Sequence, residues 1–195
     1  MIKKVNYDFD AFAGLYMEPE ERCNTQKASE VCKAPTEDWH KINCDGSFVK
    51  ENVLAGVGVI LRNENGILVD GICEVVLADS PLVAEALAVR RGISLALENG
   101  YQNVELEIGS QMVHSEIAKK NQCRQWKIWP IMKDIQRMLN ELQGKKILLI
   151  RRNANKAANW IISQVTKGCA ISVGLSNLYC HWCIFWTRID CQPLI

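Results

Sequence analysis

Between residues 41 and 150 the apolar positions change period several times, and each change marks an element. Lys41-Ile42-Asn43-Cys44-Asp45 alternates, which places Ile42 and Cys44 on one face of a strand and Asn43 and Asp45 on the other. Gly46 reads as the end of that strand. A second strand is predicted over 56–62. It leads through Asn63-Glu64-Asn65-Gly66 into a third over 67–77. Asn-Gly between two apolar runs is a strong hairpin signal, so the three strands form an antiparallel meander.

Ser80-Pro81 then opens a helix, with the serine as N-cap and the proline in the first turn. Leu82, Ala86, Val89, Ile93 and Leu97 recur at helical spacing, and Asn99-Gly100 closes the helix. Residues 103–108 alternate again, Val104, Leu106 and Ile108 against Glu105, Glu107 and Gly109. Ser110 begins a second helix, 126–142 a third, 145–150 a fifth strand and 155–169 a last helix, with Ala158, Ile161, Ile162, Val165 and Cys169 inward. The predicted fold class is α/β: a mixed five-stranded sheet, antiparallel meander first and β-α units after, flanked by helices.

A chain of 195 residues suits one domain with tails. Residues 1–38 are polar, interrupted by Pro19 and Pro35, and read as a flexible arm. Residues 39–170 form the domain, and 171–195 an apolar tail. The formal net charge of +1 means that any nucleic-acid footprint must be local. Nine cysteines, an odd number at irregular spacing, and an N-terminus without an apolar leader point to reduced thiols and an intracellular compartment, nucleus or cytoplasm undetermined, and not secretion. The apolar run over 171–189 is broken by Asn177, His181 and Arg188, which argues against a membrane span. Within it, Cys180-His181-Trp182-Cys183 is a lone Cys-x-x-Cys followed by Cys191, short of the four spaced ligands that zinc takes. A tail that packs on the domain or binds a partner is the simpler reading.

Two carboxylates stand out. Asp45 shares a strand face with Asn43, and Glu85 lies one position off the apolar stripe of the first helix. Singly, each has an ordinary reading, a turn residue before Gly46 and a helix-flank charge. Their flanking text joins them. Ile-Asn-Cys-Asp-Gly-Ser over 42–47, Gly-Val-Gly-Val-Ile-Leu-Arg over 56–62 and Ala-Glu-Ala-Leu-Ala over 84–88 resemble the plant ribonuclease H-like domains of type 1, which also occur at the ends of non-LTR retrotransposon polyproteins. Glu107-Ile108-Gly109-Ser110 is similar to the family's Glu-x-Asp-Ser strand end. Arg152-Asn153-Ala154-Asn155-Lys156-Ala157-Ala158-Asn159 is similar to its Arg-x-x-Asn-x-x-Ala-Asp helix start.

The resemblance implies endonucleolytic cleavage of the RNA strand of an RNA–DNA hybrid, with two Mg²⁺ ions held by four acids. The first two acids map to Asp45 and Glu85. The third maps to Gly109 and the fourth to Asn159, and a histidine common in the family maps to Leu149. Two anionic ligands are therefore missing, so weak or absent Mg²⁺ binding and weak or lost cleavage are expected. Glu107, two residues before Gly109, is a distant substitute at ~6.6–6.8 Å along the strand.

Binding can outlast cleavage, because affinity comes largely from phosphate contacts. Lys119, Lys120, Arg124 and Lys127, with Trp126 and Trp129 among them, form one candidate group. Arg151, Arg152 and Lys156 form another. The plain alternative is solvated helix faces with tryptophans in the core. By resemblance, Asn43, Gly46 and Ser47 stand where the family reads 2′-hydroxyls. Three functions remain open: a hybrid ribonuclease, intact or crippled; a module that binds RNA–DNA hybrid or RNA without cutting; and an inactive retroelement-derived interaction protein.

Overall fold

The computed structural model describes residues 33–49, 53–119 and 125–150, together with Asn155, Ala158 and Ile162. The meander folds as β1 (His40–Val49), β2 (Leu54–Arg62) and β3 (Leu68–Leu77), paired antiparallel in sequence. Then come α1 (Pro81–Glu98), β4 (Asn103–Ile108), α2 (Gln111–Ala118), α3 (Trp129–Glu141) and β5 (Gly144–Leu149). The sheet order is β3-β2-β1-β4-β5, with β4 parallel to both β1 and β5.

One sheet face carries the core. Ile42 and Cys44 of β1, Val57, Val59 and Leu61 of β2, and Val104, Leu106 and Ile108 of β4 are buried with Val89 and Ile93 of α1 and Met132 and Ile135 of α3. Burying such side chains stabilises the fold by about 1.5–3 kcal/mol each for the larger ones. The opposite face meets the start of the predicted last helix: an added Cβ on Gly58 would stand 2.6 Å from Ile162 Cγ1 and 3.0 Å from the Ala158 carbonyl oxygen. Ala158 and Ile162 are helical and buried, while the rest of that helix, the 1–32 arm and the 171–195 tail with its cysteines lie outside the described residues. Cys44 and Cys73 are buried cysteines. No described helix is long and apolar enough to cross a membrane.

Several boundaries differ from the sequence reading. β1 does not stop at Gly46, which pairs with Val57; the strand continues to Val49. A glycine there answers a packing need, described below, and not a turn. β2 starts two residues earlier, at Leu54. β3 begins at Leu68, because Ile67 is still in the turn, where its N–H donates to Asn63 Oδ1 at 3.0 Å. Gly66 supplies that turn's positive φ of 72°. Ser80 occupies the N-cap position of α1, but its hydroxyl donates to Asp79 Oδ1 at 2.9 Å and caps nothing. Ser110 does cap α2, accepting from Val113 N–H at 3.4 Å. α3 begins at Trp129 and not Trp126, with Pro130 in its first turn where no N–H is needed.

Candidate nucleic-acid site

The ladder between β1 and β4 ends at Cys44 opposite Ile108, whereas the ladder between β1 and β2 runs on to Val49 opposite Leu54. Asp45 sits at this fork, one residue beyond the last β4 partner, and Gly109 follows the end of β4 beside it. Gly46 lies against the backbone of α1. An ideal Cβ on it would stand 2.5 Å from the Ala84 carbonyl carbon and 2.6 Å from the Glu85 nitrogen, distances real Cβ atoms do not adopt. Glycine thus lets the first turns of α1 close on β1, and this carries Glu85 to the residue after Asp45. Both carboxylates are half-buried. The Cys44 thiol is 1% exposed and packs at Gly92 of α1; burial pushes its pKa well up, and the charges of Glu85 and Asp45 push it further. The backbone segments that carry the two acids named from sequence therefore adjoin.

The rest of the expected ligand set is different. Among the described residues, a Cβ on Gly109 would meet nothing nearer than Asn155 Nδ2 at 3.9 Å, and the glycine offers no ligand there. That same amide donates to the Cys44 carbonyl oxygen at 2.8 Å and fastens the segment after β5 to the end of β1. Asn159 lies outside the described residues. Among the described residues no three His, Cys, Asp or Glu side chains are grouped to hold a metal ion. Asp45 and Glu85 are two anionic donors, which does not fit a pair of divalent cations with their oxygen-rich shells.

Glu107 is not a spare ligand. It is 6% exposed and committed at both oxygens: Oε1 to Lys41 Nζ at 2.7 Å, and Oε2 to the Asn43 amide at 2.6 Å. Asn43 Oδ1 in turn accepts from Arg62 Nη1 at 2.5 Å. Asn43 is thus 2% exposed and held on both sides, which removes it from the surface where it was expected to read a ligand. Glu105 extends the network, 3.9 Å from Lys41 Nζ and 2.8 Å from Lys146 Nζ. Arg62 is 1% exposed, and its Nε and Nη2 have no hydrogen-bond partner among the described residues. Sequence reasoning missed this network. Its signal was present in the alternating polar positions of β1 and β4, which the parallel pairing brings side by side.

The other expected contacts divide. The Ser47 hydroxyl is buried and has no hydrogen-bond partner among the described residues. Trp126, instead of joining the core, is 78% exposed. Lys127 stands 5.7 Å from the centre of its ring and 3.0 Å from Asp79 Oδ2, which ties the loop before α3 to the start of α1, near Glu85. Asp79 has its pKa lowered by the hydrogen bonds from Lys127 and Ser80. Lys119 is held by Glu116 at 2.6 Å. Trp129 is half-buried, and Lys120, Arg124, Arg151, Arg152 and Lys156 lie outside the described residues.

A meander joined through α1 to two parallel strands, with acids where β1 leaves β4, defines a ribonuclease H-like fold. The sequence profile of the Reverse transcriptase-like family matches residues 43–165, and the chain belongs to that family of ribonuclease H-like domains. Similar solved structures include ribonuclease H1 from the archaeon Halobacterium salinarum NRC-1, with a TM-score of 0.63 and 18% identity over 67% of this chain and 99% of that one. LC11-RNase H1 in complex with RNA/DNA hybrid has a TM-score of 0.60 and 18% identity over 66% of this chain and 98% of that one. Prototype foamy virus protease-reverse transcriptase has a TM-score of 0.53 and 14% identity over 76% of this chain and 22% of that one. No curated protein matches the sequence significantly.

Proposed function

We propose that this chain is a nucleic-acid-binding ribonuclease H-like domain that engages RNA–DNA hybrid or RNA and cleaves it weakly or not at all. The observation that carries the reading is Gly109, which has no side chain at the end of β4, next to the β1–α1 junction that carries Asp45 and Glu85. When two divalent ions are bound at such a site they activate water and steady the leaving oxygen. Here Asp45 and Glu85 would face them without the third acid, and Glu107 is withheld by Lys41 and Asn43. Removing one group that stabilises transition-state charge commonly costs 10²–10³ in rate, roughly 2.7–4 kcal/mol. Losing the charges at positions 109 and 159 compounds that.

Binding has its own support. A similar fold, LC11-RNase H1, was solved with RNA/DNA hybrid. In this chain Trp126 offers an exposed ring with Lys127 beside it, close to the start of α1. Aromatic stacking on bases and contacts to phosphates need no metal.

A hybrid-cleavage assay in Mg²⁺ and in Mn²⁺ tests the first half, with wild type beside Gly109→Asp/Asn159→Asp. Cleavage is expected to appear, or rise steeply, only in the double replacement. Wild-type cleavage at the double replacement's rate would sink the reading. A hybrid titration in EDTA at several salt concentrations tests the second half. No salt-sensitive binding would leave only an interaction protein without nucleic acid.

A further inference from the structure

Away from the acids, α1, α3 and the edge strand β3 enclose a cleft of about 280 Å³. Its floor is apolar, made by Val76, Leu87 and Met138, and three guanidinium groups line it, Arg90, Arg91 and Arg137. The three are not equally committed. Arg91 is fixed to the wall, with Nη1 2.7 Å from Glu98 Oε1 and Nε 3.7 Å from Glu74 Oε1. Arg90 has one long contact, 3.5 Å to Asp134 Oδ2, between side chains that are both about half exposed. Such a pair contributes little and exchanges readily with solvent or a better anion. Arg137 is exposed and makes no ion pair or hydrogen bond among the described residues.

We propose that this cleft binds a phosphoryl group carried on a flat apolar body, that is, a nucleotide, either free or as a unit of a strand. Arginine is the side chain whose planar fork matches phosphate oxygens in pairs. Arg90 and Arg137, from two different helices, grip the anion. The Val76, Leu87 and Met138 floor takes the base or sugar face. Asp134 is the built-in competitor, holding Arg90 when the cleft is empty. Arg90 is five residues beyond Glu85 on α1, about 140° round the helix from it, and neither Glu85 nor Asp45 lines the cleft, so the cleft is a separate site from the acids.

Calorimetric titration of the full chain with AMP, inorganic phosphate and adenosine, and separately with a short single-stranded RNA, tests this. AMP is expected to bind saturably, more tightly than inorganic phosphate, with adenosine not binding. Arg137→Ala is expected to weaken AMP binding about tenfold, the size of one charge-assisted contact. Asp134→Asn is expected to tighten it, a gain that misfolding cannot imitate. Lys133→Ala, on the same helix outside the cleft, is the control for bulk charge and is expected to change nothing. If AMP does not bind but RNA affinity still moves in opposite directions with Arg137→Ala and Asp134→Asn, and not with Lys133→Ala, the ligand is a strand phosphate in the same cleft. Equal effects of Lys133→Ala and Arg137→Ala, or no response of either ligand to the pair of variants, would overturn the proposal. Loss of hybrid binding with AMP binding retained would count against the proposed function and leave the cleft standing.

Discussion

Gly46 and Ala84 touch through backbone alone: a Cβ on the glycine would stand 2.5 Å from the alanine carbonyl carbon. Neither atom belongs to a flexible side chain, so the contact cannot yield by a rotamer change. Gly46→Ala is therefore expected to push α1 off β1 at the point where Glu85 meets Asp45, and to destabilise the domain by about 1–3 kcal/mol, the usual range for overpacking. Urea unfolding followed by circular dichroism measures it. A midpoint equal to wild type would show that α1 does not close on β1 as described.

Glu107 and Lys41 form a buried ion pair at 2.7 Å, side chains 8% and 3% exposed. Glu107→Ala leaves the buried lysine with only Glu105 at 3.9 Å as a counter-ion and the Asn43 amide without its acceptor, and a loss of about 3–5 kcal/mol is expected. Lys41→Met/Glu107→Leu is expected to recover the part due to the uncompensated lysine charge but not the part due to the Asn43 amide, which still lacks its acceptor. Denaturation midpoints of the three proteins decide it, and a Glu107→Ala variant as stable as wild type would contradict the burial of the network.

These two cases show what the chain reveals when read alone. The alternation of Ile42 with Cys44, and of Val104, Leu106 and Ile108, is local, and it located the strands and their core face. The meander and the positions of Asp45 and Glu85 followed, because short hairpins and helix starts are written in neighbouring residues. Gly46 was misread as a strand end because its role depends on Ala84, 38 positions away in the sequence. Asn43 reads as a ligand contact for the same reason, since its partners Arg62 and Glu107 are far away in the sequence. Their meeting depends on the pairing of β1 with both β2 and β4. The arginine cleft needed the packing of α3 beside α1, which no local pattern encodes.

His40 gives a pH signature. Its ring stacks on Tyr101 with centroids 3.7 Å apart, and burial lowers its pKa from the ordinary 6.5, partly opposed by the charge of Glu64. The folded protein thus binds this proton less readily than the unfolded chain does. The contribution is favourable above the unfolded value near 6.5 and is lost as pH falls from there toward the depressed folded value. Thermal midpoints are expected to drop below pH 6.5, and His40→Gln is expected to flatten that part of the profile. An unchanged slope in the variant would assign the titration to another group.

Gly109 offers the most direct link between stability and function. Its φ lies outside the left-handed region, and among the described residues an added Cβ meets nothing nearer than 3.9 Å. Gly109→Ala should therefore restrict the unfolded chain without straining the folded one, raising stability by about 0.4–1 kcal/mol. Gly109→Asp/Asn159→Asp adds two negative charges, the one at position 109 next to the end of β1 where Asp45 lies, so without divalent cation it is expected to be less stable than Gly109→Ala. With Mg²⁺ or Mn²⁺ its melting temperature is expected to rise with cation concentration, as a ligand that binds only the folded state requires. Wild type, with two anionic donors, is expected to show a much smaller rise. Parallel melts of the three proteins with and without cation separate the two effects. An equal cation-dependent rise in wild type would show that its own residues already complete the metal site.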